Sequence, residues 1–161
     1  MFKYGIDTLS VDKVIAIAKN ELNATLTLDA IDKINNCRAK VETMAASDKA
    51  VYGINTGFGP LCDTQISPEE TGLLQKNLLI THAVGVGEPI DKFLSKIMMI
   101  CKVHALSQGF SGIRLEVVER IIYFIEKDLL PIVPEQGSVG ASGDLAPLSH
   151  LFLPLFGEGD F

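Results

Sequence analysis

The chain has 161 residues, 47% hydrophobic and 21% charged, with 14 basic against 20 acidic side chains and a formal charge of -6. That length supports one domain with a core, and that composition excludes a disordered chain. The acidic balance and the lack of a basic cluster argue against a nucleic-acid or anionic-membrane surface, either of which needs grouped Lys and Arg to displace counterions.

The first residues, Met1 to Asp7, carry no apolar run with a small-residue cleavage site, so they do not read as a secretory signal. The longest apolar stretch, Ile90 to Leu106, is interrupted by Asp91, Lys92, Lys96 and Lys102. Those charges are costly in a bilayer, so the stretch predicts a core helix. Cys37, Cys62 and Cys101 are odd in number and lack Cys-x-x-Cys spacing, which fits reduced thiols in a cytoplasmic protein.

Taken in order, Ser10 predicts the cap of a first helix running to about Asn20, with Leu9 and Val14 placed as a hydrophobic staple. Thr27 predicts the cap of a second, with Leu28, Ile31, Ile34 and Val41 at near-helical spacing toward Met44. A short β-prone run, Ala50-Val51-Tyr52, leads into a loop with three glycines and a proline, Gly53 to Pro60. Ser67-Pro68-Glu69-Glu70 is the clearest helix start, with a capping serine, proline in the first turn and Glu70 completing a capping box. That helix should reach His82 and stop before Gly85-Val86-Gly87-Glu88-Pro89.

The next helix, about Ile90 to Gln108, is apolar nearly all round and is predicted to be buried. After Gly109-Phe110-Ser111-Gly112 a further helix should run from Ile113 to about Asp128. Pro131 and Pro134 end it, and Glu135 to Gly143 reads as a glycine-rich loop. Asp144 can open a short helix through Phe156, its acid near the positive end of the helix dipole. The fold class is mainly α, with little strand, no repeats and no low-complexity linker.

Familiar site motifs do not fit. Neither glycine-rich loop ends in Gly-Lys-Ser/Thr, and Gly57-Phe58-Gly59 lacks the third glycine of a dinucleotide fingerprint because Cys62 stands there. His82, His104 and His150 are far apart and none lies in a His-Glu-x-x-His helix, so a metal site within this segment is not expected. Ser142 invites a hydrolase reading, but a nucleophile elbow needs glycine two residues to either side, and Asp144 occupies the second place.

Ala141-Ser142-Gly143 can instead react with itself. Gly143 lacks a Cβ, so its nitrogen can approach the Ala141 carbonyl carbon in a compressed turn. Attack closes a five-membered ring around Ser142. Loss of two waters, the second carrying the Ser142 hydroxyl, leaves an exocyclic methylidene. Gly137, Ser138 and Gly140 permit the bend. An isolated Ala-Ser-Gly triplet is equally compatible with a plain surface loop.

The run Gly137-Ser138-Val139-Gly140-Ala141-Ser142-Gly143-Asp144-Leu145-Ala146-Pro147-Leu148-Ser149-His150 closely resembles the signature of the aromatic amino acid ammonia-lyase family, of the histidine and phenylalanine type. Val51 to Gly59 resembles that family's tyrosine loop, and Leu74 to Pro89, with Thr81-His82-Ala83, its substrate-selectivity segment. Gly109-Phe110-Ser111-Gly112-Ile113-Arg114 resembles its helix-connecting turn. The likeness covers essentially the whole chain. It implies a helical ammonia-lyase fold with glycine-rich active-site loops, of which residues 1–161 form a single N-terminal domain bearing the electrophile. The family's C-terminal helical bundle is absent from this chain, so the segment alone is expected to be inactive.

The resemblance also implies roles. Ala141, Ser142 and Gly143 form a methylidene-imidazolone autocatalytically, so no external cofactor is expected. The substrate amine adds to it, a β-proton leaves, and ammonia and an α,β-unsaturated acid result. Tyr52 resembles the general base, a role that needs its anion stabilised because an ordinary tyrosine titrates near pH ~10. The plain alternative is a strand-end aromatic packed in the core. His82 resembles the residue that selects the substrate ring by hydrogen bonding, and the alternative is a helix-end histidine bonded to nearby carbonyls. His104 reads as a satisfied core histidine and His150 as a support for the last helix. Thr81-His82-Ala83 favours L-histidine as substrate and trans-urocanate as product. Ser149, where alanine is common, keeps L-tyrosine as the alternative, and a non-catalytic module of the same fold is the other. The expected assembly is a cytoplasmic homotetramer with a small amino acid substrate.

Overall fold

A computed structural model describes residues 1–140 and 143–161, with the side chain of Pro68 left aside. A short strand β1, Phe2–Lys3, is followed by helix α1, Val11–Ala18, and strand β2, Ala24–Thr25, which lies parallel to β1. Helix α2 spans Leu28–Ala45, a 3-10 turn covers Gly59–Leu61, and helix α3 spans Pro68–His82. Strand β3, Val86–Pro89, precedes helices α4, Lys92–Leu106, and α5, Leu115–Glu126. Strand β4, Pro134–Gln136, pairs antiparallel with β3 through a bulge, and helix α6, Leu145–Phe152, passes into a 3-10 turn over Leu153–Phe156.

The predicted caps form. Ser10 accepts from the Lys13 N–H and Thr27 from the Ala30 N–H, each offsetting one orphan donor of a first turn. Ser67 accepts from the Glu70 N–H at 3.3 Å, but the Glu70 carboxylate accepts from the Ser67 hydroxyl at 3.1 Å and not from its backbone. The reciprocal bond of a capping box is thus replaced by a side-chain pair.

The core lies between α1, α4 and α5, with β1 and α2 closing it. Phe2, Ile17, Ile34, Met99, Ile100, Val103, Val118 and Ile121 are buried there. Helix α4 is one-sided, contrary to its sequence. Met99, Ile100, Val103 and Leu106 face the core, while Leu94 and Cys101 are exposed. Two of its charges are structural. Asp91 caps the helix by accepting from the Phe93 N–H at 2.7 Å. Lys96, 3% exposed, donates to Asp128 at 2.6 Å and to Asn20 at 3.1 Å. Asn20 and Asp128 follow α1 and α5 with φ of 59° and 51°, a left-handed conformation that short polar side chains tolerate best. One ammonium group therefore ties the ends of two helices.

Other sequence expectations change. Leu28 is exposed, and α2 packs through Ala30 and Ile34. Ala50-Val51-Tyr52 forms no strand: the chain turns there, because buried Asn55 accepts from the Val51 N–H and donates to the Ser47 and Lys49 carbonyls. Residues 86–89 and 134–136, expected as loop, pair as a two-stranded ladder. No described helix is long and apolar enough to cross a membrane.

Candidate active site

Helix α3 carries His82 at its last position. The His82 Nδ1 lies 2.7 Å from the Leu78 carbonyl oxygen. A carbonyl can only accept, so Nδ1 carries the proton and, in the neutral ring, Nε2 is an acceptor. The helix-end geometry and the ring-selecting role are therefore compatible: one nitrogen anchors the imidazole and the other is left with a lone pair. Thr81 donates to the Asn77 carbonyl at 2.8 Å. Immediately afterwards Ala83, at φ -79° and ψ 63°, forms an inverse γ-turn closed by Val84 N–H donating to the His82 carbonyl at 2.9 Å. That turn swings the chain toward α6.

The segment leading into the triplet arrives from β4. Ala141 and Ser142 lie outside the described residues, and their expected roles rest on what surrounds them. Gly143 has φ 113°, a conformation L side chains rarely adopt, and a Cβ there would meet nothing within 4 Å. Glycine is required by the backbone, not by crowding. Asp144 stands at the start of α6 but makes no side-chain cap bond. Its carboxylate instead accepts from the Ser138 hydroxyl. Asp144 thus opens α6 as expected, and its carboxylate also ties residues 138 and 144 together, one on each side of the triplet.

Helix α3, which ends at His82, packs against α6, the helix that follows the triplet. His150 on α6 makes the connection, its Nε2 accepting the Gly85 N–H at 2.9 Å. Burial of the ring pushes its pKa below the ordinary histidine value, favouring the neutral acceptor. His104 is a half-buried core histidine as expected. Its Nδ1 accepts the Gly5 N–H at 3.2 Å beside the Phe2 ring, and burial, partly opposed by Asp7, lowers its pKa.

Tyr52 lies between α2 and α3, on the 47–66 segment. It is 62% exposed and packs edge-on against Phe58, their ring centroids 5.8 Å apart, so the buried strand-end alternative does not hold. Sequence reasoning missed Asn55, which holds this loop, and the two cross-links Ser138–Asp144 and Gly85–His150. Among the described residues no three His, Cys, Asp or Glu side chains are grouped to hold a metal ion. Cys37, Cys62 and Cys101 are unbridged.

The chain is 47% identical over 153 residues to the histidine ammonia-lyase of Shouchella clausii, a match covering 95% of this chain and 31% of that one. Among solved structures it superposes on histidine ammonia-lyase from Trypanosoma cruzi with a TM-score of 0.86 at 35% identity, covering 98% of this chain and 30% of that one. It superposes on tyrosine aminomutase from Streptomyces globisporus with a TM-score of 0.87 at 28% identity, again covering 98% and 30%. The chain thus spans about 30% of the length of the relatives it matches. Residues 9–161 match the model of the aromatic amino acid lyases, and with that match spanning almost the whole chain, it belongs to the aromatic amino acid lyase family.

Proposed function

We propose that this chain is the electrophile-bearing N-terminal domain of an ammonia-lyase that converts L-histidine to trans-urocanate. The observation that carries the reading is the packing of α3, which ends at His82, against α6, which follows the triplet, in a chain 47% identical to a histidine ammonia-lyase. Gly143, at φ 113° with open space around it, and the Ser138–Asp144 tie fit the ring closure of Ala141, Ser142 and Gly143. Gly143 nitrogen bonds to the Ala141 carbonyl carbon, and two waters leave. The resulting methylidene-imidazolone supplies an electrophile for the substrate amine, with no external cofactor.

The remaining work falls to side chains. His82, its Nδ1 proton committed to Leu78, offers Nε2 to a ring N–H of the substrate. Tyr52 takes the β-proton as its base. Its present exposure is consistent with a site completed by the rest of the polypeptide and by neighbouring subunits of a cytoplasmic homotetramer. Tyrosine stays the second reading because a tyrosine aminomutase shares the fold and a phenol O–H can also donate to Nε2.

The experiment is His82→Leu in the full-length enzyme, with kcat/KM measured for L-histidine, L-tyrosine and L-phenylalanine. Loss of one buried hydrogen bond should reduce histidine turnover about ten- to a hundredfold, roughly 1–3 kcal/mol, and relax discrimination against phenylalanine. Wild-type turnover of tyrosine with none of histidine would replace the substrate. An early-melting variant that loses all three substrates in proportion would make His82 structural.

A further inference from the structure

Three stretches of backbone meet at Gly85, just past His82. Gly85, three residues past His82, donates its N–H to His150. A Cβ on Gly85 would stand 3.1 Å from the His150 Nε2 and 3.2 Å from the Gln136 carbonyl oxygen. A Cβ on Gly137 would stand 3.0 Å from the Gly85 Cα and 3.4 Å from the Ala146 Cβ. The chain leaving α3, the chain entering the triplet and the first turn of α6 therefore touch so closely that one more methyl group would push its neighbours by a few tenths of an ångström. The β3–β4 ladder starts at Val86 opposite Gln136, and His150 takes up the next donor, Gly85, where the ladder stops.

We propose that His150 is a positioning residue for the reaction proposed above: by accepting the Gly85 N–H it fixes the chain after His82 against the helix that follows the triplet, and so sets the spacing between the substrate's ring partner and the electrophile. The inference rests on that functional reading. His150 touches no reacting atom in this scheme. It acts because the inverse γ-turn at Ala83 leaves only Ala83 and Val84 between His82 and Gly85, so a shift of Gly85 is passed directly to the imidazole. A lowered pKa keeps its Nε2 an acceptor at neutral pH.

The test compares His150→Leu, which leaves the Gly85 N–H without its acceptor, with His150→Gln, whose amide oxygen can reach the same place. Both are made in the full-length enzyme, with kcat/KM for L-histidine and L-phenylalanine and the thermal midpoint recorded. His150→Leu should lower histidine turnover about ten- to a hundredfold, as a misplacement of about an ångström does. Phenylalanine, which makes no use of the His82 Nε2, should lose less. His150→Gln should restore most of the difference. If His150→Leu does not fold, Gly85→Ala carries the same test, since its methyl pushes α6 away while His150 stays, and it should show the same selective loss. Equal losses for both substrates that follow the drop in thermal midpoint, with no recovery in His150→Gln, would overturn the proposal while leaving the ammonia-lyase reading intact. A wild-type enzyme inactive on every aromatic amino acid would sink that reading and the positioning role with it.

Discussion

Helices α3 and α4 are both 15 residues long and both rich in Leu and Ile, yet they end in opposite states. Helix α4 buries six side chains between α1 and α5. Helix α3 buries none of its described side chains and leaves Leu73 and Ile80 exposed. The same contrast runs through the molecule. The α1–α4–α5 side is held by apolar packing, whereas on the side carrying the candidate site α6 reaches the core through Leu151 and the rest is tied by individual hydrogen bonds: His82 to Leu78, Gly85 to His150, Ser138 to Asp144, and Asn55 to its own loop. Helix α3 and the 47–66 segment, oriented by polar ties with few buried side chains, are therefore the part most open to reshaping by whatever packs on them.

The comparison can be broken first by truncation on each side. Ile100→Ala, at a fully buried position of α4, should cost about 2–5 kcal/mol in urea unfolding, the sum of lost transfer energy and a cavity. Leu73→Ala, 61% exposed on α3, should stay within about 0.5 kcal/mol in the isolated chain. Equal costs at the two positions would show that α3 is as well packed as α4.

Next is Asp128→Ala, which removes the carboxylate 2.6 Å from the buried Lys96 ammonium and places alanine at a left-handed φ. Asp128 is itself exposed, so water can partly replace it. A loss of about 1–3 kcal/mol is expected in the same unfolding assay. A neutral result would mean that Asn20 alone satisfies Lys96.

The smallest effect is acidic. His104 and His150 both have pKa values lowered by burial, so the folded state binds protons less readily than the unfolded one, whose histidines titrate near 6.5. Their contribution to stability is whole above that value and is lost as pH falls through the lowered folded values. Thermal midpoints should therefore drop between neutral pH and about pH 5, and His150→Gln should reduce the slope. An unchanged slope in that variant would show that His150 is as easily protonated in the folded chain as in the unfolded one.

Much of this was legible in the residues. Ser10, Thr27 and Ser67 marked three helix starts because a cap is a local interaction between neighbours in sequence. The family likeness drew His82, Tyr52 and the triplet to attention for the same reason: each lies in a short contiguous run. What escaped depends on distant partners. The Gly85–His150 bond spans 65 residues. Lys96 reads as a break in an apolar stretch until Asp128 and Asn20 are seen around it. Asp144 was legible as the start of the last helix, where it stands, but only the fold shows Ser138 claiming its carboxylate. Val51 and Tyr52 have β propensity, but the Asn55 amide offers their backbone a turn instead, and local side-chain bonding prevails over propensity.

If Ala141, Ser142 and Gly143 become the electrophile, the intact mass of the purified full-length enzyme records it. Ring closure and loss of the Ser142 hydroxyl predict a mass lower than that of the translated sequence by two waters, with the Ser142→Ala variant losing at most one. A wild-type mass equal to the unmodified sequence, in a preparation that still releases ammonia from L-histidine, would contradict it.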